Sequence, residues 1–226
     1  YGIEGLRAYL KTALYAKKKG LIVIGDIKRG DISSTAEAYA AHISGVTIEE
    51  THLDLWNEDA VTLNPYMGFD GIEPFIAPGN EYDKGLFILV KTSNPSGAEI
   101  QDLIADGKPV YEHVADLVSR WGELSMGSRG YSKIGAVVGA TYKEQGTALR
   151  KSMPHTFFLV PGYGAQGAGG SDLKGYFDKD GRGCIVNSSR GIIAAYKKDA
   201  RYGDHNFAAA AREAVIKMKL DLGESI

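Results

Sequence analysis

LIVIGDIKRGDISST, residues 21–35, is the stretch on which the reading of this chain turns. An aliphatic run from Leu21 to Ile24 ends at Gly25 and is followed by four charges in six residues, Asp26, Lys28, Arg29 and Asp31. Such a run reads as a parallel strand covered on both faces, here over 21–27. Side chains alternate across a strand, so Asp26 and Lys28 face one side and Ile27 the other. Gly30 is the expected turn. Ser33, Ser34 and Thr35 are candidate caps for a helix over about 34–44. A carboxylate and an ammonium thus meet at the C-terminal end of a strand, with Asp31 in the loop that follows. Two readings are open at this point. One is a structural ion pair at a strand end. The other is a lysine held between two carboxylates, charged, and able to donate a proton.

Upstream, Ile3, Leu6, Leu10, Ala13 and Leu14 recur at helical spacing, so residues 3–19 read as a helix. Lys17, Lys18 and Lys19 read as its solvated end and Gly20 as its stop. Downstream, GVTIEETHLDLWNE (45–58) reads as a short helix, followed by strands at about 60–64, 86–93, 134–141, 156–160 and 183–189. Helical stretches fall between them at 69–77, up to Met126 with a break at Gly107-Lys108-Pro109, at 142–151, 171–177 and 204–219. Strands and helices alternate with no hairpin signal, which specifies α/β architecture with a parallel sheet. Polar or glycine-rich segments follow the strands: DIKRGD, NPYMG, TSNPSG, PGYGAQG and NSSRG. Parallel α/β folds bind ligands at that end. A doubly wound sheet and a (β/α)₈ barrel both fit. Six strands are visible and a barrel needs eight. If the last two are strands 7 and 8, two βα units are expected upstream of Tyr1.

The bulk numbers narrow the function classes. The chain has 226 residues, enough for one large α/β domain or two small ones, and reads as one domain over 1–226. With 26 basic and 28 acidic residues the net charge is −2, so no global field favours nucleic acid. No apolar run approaches the ~20 residues of a membrane span, and no secretory leader is expected. The single Cys184 excludes an intrachain disulfide and suits a reducing, cytoplasmic setting. The five histidines, His42, His52, His113, His155 and His205, lack metal-ligand spacing and read as solvated or core residues. Trp56 and Trp121 read as packing residues in helical segments, and Asp178-Lys179-Asp180 as a solvated loop.

Two consecutive strand ends carry anion-binding features. Gly162, Gly164 and Gly167 in PGYGAQG allow backbone N–H groups to approach an anion closely. Arg190 in NSSRG adds a guanidinium that can take a phosphate bidentately. The spacing Gly-x-Gly-x-x-Gly is present, but no acidic residue closes a following strand, so a nucleoside monophosphate suits the site better than a dinucleotide. Ser93, at the end of another strand, has a hydroxyl and a backbone that can bond a base edge.

Taken together, DIKRGDISST, LNPYMG, TSNPSG, PGYGAQG and NSSRG resemble the orotidine 5′-phosphate decarboxylases, in particular their bacterial type 2 subgroup, from Tyr1 to about Lys198. The resemblance implies a (β/α)₈ barrel and a homodimer with shared active sites. It implies conversion of orotidine 5′-monophosphate to uridine 5′-monophosphate and CO₂, with no metal and no organic cofactor. It implies Lys28 as proton donor to C6, Asp26 beside the substrate carboxylate, and Asp31 with Thr35 reaching the ribose in the neighbouring subunit's site. Ser93 would read the pyrimidine. Gln166 would bridge the pyrimidine and the phosphate, with Pro161, Gly164, Gly167, Arg190 and Gly191 around the phosphate. The family's further Asp and Lys, on its first two strands, have no counterpart here and are expected upstream, on roughly 40–60 residues at ~30 per βα unit. Two alternatives stand beside this reading. One is a Mg²⁺-dependent 3-hexulose-6-phosphate synthase-like aldolase of the same barrel, and the other a non-catalytic nucleotide-phosphate binding module.

Overall fold

The computed structural model describes residues 1–164, 167–199 and 201–225. Its principal sheet has the strand order β1-β4-β5-β8-β9-β10, and the pairs β1–β4, β4–β5 and β9–β10 are parallel. In chain order the elements are α1 (Gly2–Lys18), β1 (Ile24–Arg29), α2 (Ser33–Tyr39), α3 (Ala41–Ser44), β2 (Val46–Ile48), β3 (Thr51–Leu53), β4 (Ala60–Leu63), α4 (Glu73–Glu81) and β5 (Gly85–Lys91). Then follow α5 (Ala98–Gln101), β6 (Ile104–Ala105), β7 (Lys108–Pro109), α6 (Val110–Gly122), β8 (Ser132–Val138), α7 (Lys143–Ser152) and β9 (Thr156–Pro161). The last are α8 (Gly170–Leu173), β10 (Cys184–Asn187), α9 (Ser189–Ile193) and α10 (Phe207–Ser225). The chain divides into two compact units, Tyr1–Leu89 with Arg120–Ala136, and Val90–Ser119 with Val137–Ile226.

The first unit buries Ile43, Val61, Leu63, Ile72, Phe75 and Ile88. All four residues of β4 are buried, as a covered parallel strand requires. β1 departs from the expectation. Leu21 and Ile22 are 60% and 73% exposed, and the strand begins only at Ile24. β1 ends the strand order, with β4 as its neighbour, so the run before it lacks cover among the described residues. The close approach in this region is at Gly25, where a Cβ would stand 2.3 Å from the Glu58 carboxylate. Glu58 is fully buried, takes a hydrogen bond from the Tyr9 hydroxyl and lies 2.8 Å from His42 Nδ1. Trp56, in a loop rather than a helix, stacks on that imidazole at 4.1 Å. Lys17 is not merely a solvated helix end, since its ammonium bonds Asp59.

Three further local expectations are corrected. Residues 46–53 form an antiparallel ribbon, β2 with β3, rather than a helix. Its two-residue turn places Glu49 and Glu50 at φ 47° and 66°. Turns of that kind favour Asn-Gly or Asp-Gly, so Glu-Glu gave no hairpin signal. β6 and β7 make a second small ribbon. Gly30 does not supply a left-handed turn. It lies against Asn64, where a Cβ would be 3.1 Å from the Asn64 Cβ. The N-cap of α2 is Ile32, with no side-chain cap bond from Ser33, Ser34 or Thr35.

The second unit is organised around Tyr176 and Arg150. Tyr176 is fully buried, and its hydroxyl donates to the Gly139 carbonyl at 2.8 Å. Gly146 in α7 has no room for a side chain, since a Cβ would stand 1.9 Å from that ring. Arg150 is buried beside it and spends its guanidinium on backbone carbonyls. Glu213 of α10 accepts from Arg201 at 3.2 Å, which ties the helix to the segment before it, and from Lys217 of the same helix at 2.7 Å.

Candidate active site

In the first unit the site begins with an irregularity of β1. Its register with β4 runs Ile24↔Ala60, Gly25↔Val61 and then Arg29↔Leu63, so four steps on β1 oppose two on β4. A bulge of this kind re-aims side chains at a sheet edge. Lys28 lies within it at φ 46°, a left-handed conformation that costs a residue with a Cβ about 1–2 kcal/mol. The Lys28 amide donates to Thr62 Oγ1 at 2.9 Å. The Thr62 hydroxyl in turn donates to Asp26 Oδ1 at 2.9 Å. Lys28 Nζ donates to the same oxygen at 2.5 Å. Thr62 is fully buried in β4, so a rigid strand orients the carboxylate and steadies the bulged backbone together. The Lys28 and Asp26 side chains remain 50% and 61% exposed and accessible to a ligand.

Asp26 and Lys28 therefore meet as the alternation predicts, although the bulge contributes to their placement. Lys28 is not held between two carboxylates among the described residues. Asp31 Oδ1 instead accepts from the Ile32 amide at 2.8 Å. Thr35 is exposed on α2. Thr62 escaped the sequence reading, because a Thr in the strand AVTL is an ordinary β-former.

The second unit holds its own cavity, of about 160 Å³, at the C-terminal ends of β9 and β10. Ser93, Pro161, Gly162, Tyr163, Asn187, Ser188 and Arg190 line it. Gly162, Gly164 and Gly167 have φ of 106°, 71° and 93°, so the loop needs glycine for its left-handed backbone. The Gly164 amide donates to the Ala168 carbonyl at 2.8 Å. Gly167 is exposed, Gly191 lies in α9, and Gln166 lies outside the described residues. Asn187 Oδ1 is buried with no hydrogen-bond partner among the described residues, and Asn187 lines the same cavity. An unpaired buried amide is costly and is satisfied by a ligand or by rotation of the amide toward one. Sequence reading quoted NSSRG for its arginine and passed over this asparagine.

Ser93 is braced from two sides. Gly139 has no side chain because a Cβ there would be 2.7 Å from the Ser93 backbone. Before it, Thr92 exchanges two hydrogen bonds with Gln101, at 3.0 and 2.7 Å. Buried Lys91 donates to Asp102 at 2.5 Å and lies 4.6 Å from the Tyr142 ring centroid. Gln101 and Asp102, at the end of α5, thus clamp the two residues that lead into Ser93. Among the described residues no three His, Cys, Asp or Glu side chains converge as metal ligands.

Comparison with known proteins places this geometry in context. The sequence profile of the orotidine 5′-phosphate decarboxylase / HUMPS family matches residues 2–203. The orotidine 5′-phosphate decarboxylase of Clostridium novyi is 48% identical over 225 residues, 99% of this chain and 75% of that protein. The enzyme of the same name from Rhodopirellula baltica is 44% identical over 224 residues, 98% of this chain and 74% of that protein. Among solved structures, Leishmania donovani OMP decarboxylase superposes with a TM-score of 0.71 at 32% identity, covering 98% of this chain and 76% of that one. Leishmania donovani UMP synthase gives 0.75 at 34% identity, covering 97% of this chain and 43% of that one. The likeness bears out the α/β class expected from the alternating elements and the barrel that the resemblance implied.

Proposed function

Because the chain belongs to the orotidine 5′-phosphate decarboxylase / HUMPS family, we propose that its Asp26–Lys28 pair carries out the decarboxylation of orotidine 5′-monophosphate in pyrimidine biosynthesis. The observation that carries the assignment is the carboxylate–ammonium pair at 2.5 Å on a bulged strand end, oriented by a buried threonine. The C6–carboxyl bond breaks, its electron pair stays on C6, and CO₂ leaves. The Lys28 ammonium faces the developing carbanion and transfers a proton to it, and the neutral amine then regains a proton from solvent. One unit charge at about 4 Å and an effective dielectric near 20 stabilises an anion by ~4 kcal/mol. That is a fraction of what a carbanion without a conjugated electron sink requires. The rest comes from contacts remote from C6 that strengthen in the transition state. In the second unit, the Arg190 guanidinium takes the phosphate, with Pro161, Gly164, Gly167 and Gly191 around it, and Ser93 takes the pyrimidine edge. Gln166 bridges the two ends of the substrate.

The same reading assigns the chain a single barrel domain over 1–226 and a homodimer in which Asp31 and Thr35 reach the ribose of the neighbouring subunit's substrate. It also assigns a cytoplasmic setting. No helix among the described residues is long and apolar enough to cross a membrane. The test is the loss of orotate absorbance when orotidine 5′-monophosphate is added to the full-length protein with a metal chelator present. Turnover that persists under chelation is the expected result. Turnover that requires Mg²⁺, or nucleotide binding without turnover, contradicts the assignment and moves it to a metal-dependent aldolase or to a binding module.

A further inference from the structure

We infer that Asp221, on the C-terminal helix α10, is a positioning residue for the phosphate-binding loop, which it holds through the phenol of Tyr163. The inference rests on reading the cavity at Tyr163 and Arg190 as the phosphate site. A single carboxylate oxygen, Asp221 Oδ2, accepts the Tyr163 hydroxyl at 2.6 Å and the Gly170 amide at 2.7 Å. One atom of α10 therefore ties the turn at the start of the loop to the beginning of α8. The approach is close, because a Cβ on Gly170 would stand 2.5 Å from the Asp221 carbonyl oxygen. Tyr163 is also held through its backbone. Its carbonyl accepts from Ser188 Oγ at 2.9 Å, and Ser188 lines the cavity two residues before Arg190. Tyr163, which itself lines the cavity, is thus fixed through its main chain by Ser188, just past β10, and through its side chain by α10. Burial first, and the Asp221 hydrogen bond second, push the phenol up to about 12, so it stays a donor at neutral pH. The family profile stops at residue 203, and nothing in the motifs around Tyr163 calls for a partner 58 residues later.

The test compares the full-length wild type with Tyr163→Phe, Asp221→Ala and Asp221→Asn. Uridine 5′-monophosphate and uridine are titrated separately, and thermal melting is recorded alongside. Loss of one charge-assisted hydrogen bond is expected to weaken uridine 5′-monophosphate about tenfold in Tyr163→Phe and Asp221→Ala. Uridine, which lacks the phosphate, is expected to change by less than about twofold. Asp221→Asn keeps an acceptor oxygen and should retain most of the wild-type preference. Equal losses for both ligands, or unchanged affinity for uridine 5′-monophosphate in Tyr163→Phe and Asp221→Ala, would overturn the positioning role while leaving the phosphate site standing. A wild type that binds both ligands alike overturns the phosphate reading and the positioning role together.

Discussion

Lys28→Ala is expected to lower turnover of orotidine 5′-monophosphate by at least about 10³-fold while binding of uridine 5′-monophosphate survives in part. Removing a unit charge worth ~4 kcal/mol at the carbanion corresponds to about 10³ in rate. Loss of a positioned proton donor alone is worth about 10²–10⁴. The two effects act through one atom and do not simply multiply. The fold should tolerate the change, since the Lys28 side chain is half exposed and its backbone bond to Thr62 needs no side chain. Lys28→Arg should not restore activity. It keeps the charge but holds its proton too tightly to release it. Steady-state kinetics with a melting curve for each variant separate these effects, and wild-type turnover in Lys28→Ala would refute the assignment.

Arg150→Ala carries the largest expected effect on stability, about 3–5 kcal/mol. The side chain is 7% exposed. Its guanidinium donates to the carbonyls of Tyr176, Met153, Thr156 and Gly183, each at 2.8–2.9 Å. It also lies 3.8 Å from the centroid of the Phe158 ring. Truncation leaves several buried carbonyls without their donor and opens a cavity beside a core aromatic. Arg150→Lys should recover little, because an ammonium cannot span four acceptors in one plane. Urea unfolding is the measurement. The expected result is a lower midpoint with an unchanged denaturant slope. A shift worth less than about 1 kcal/mol would show that the carbonyls find other donors.

These two residues mark what the sequence could and could not disclose. Asp26 and Lys28 were legible because strand alternation is local and their charges interrupt an aliphatic run. The glycines of PGYGAQG were legible as a close-approach loop, although the structure adds that three of them need a left-handed backbone. Arg150 was not legible, since its partners are main-chain carbonyls spread from Met153 to Gly183 and carry no residue signature. Thr62 was missed for a related reason, because its role depends on the register of β4 against a bulged β1. The ribbon at 46–53 was misread because its turn is Glu-Glu, which carries no hairpin signature. Leu21 and Ile22 looked like core residues because hydrophobicity reports a tendency to be covered, whereas cover depends on neighbours. Lys91 was read as part of a strand end, and its burial against Asp102 appears only once α5 is in place.

The most direct measurement is to run the reaction in deuterium oxide and read C6 of the product by NMR. The account predicts uridine 5′-monophosphate with one deuterium at C6, formed by the wild type and not by Lys28→Ala. Unchanged orotidine 5′-monophosphate with the folded wild type, or labelled product from Lys28→Ala at the wild-type rate, would contradict it.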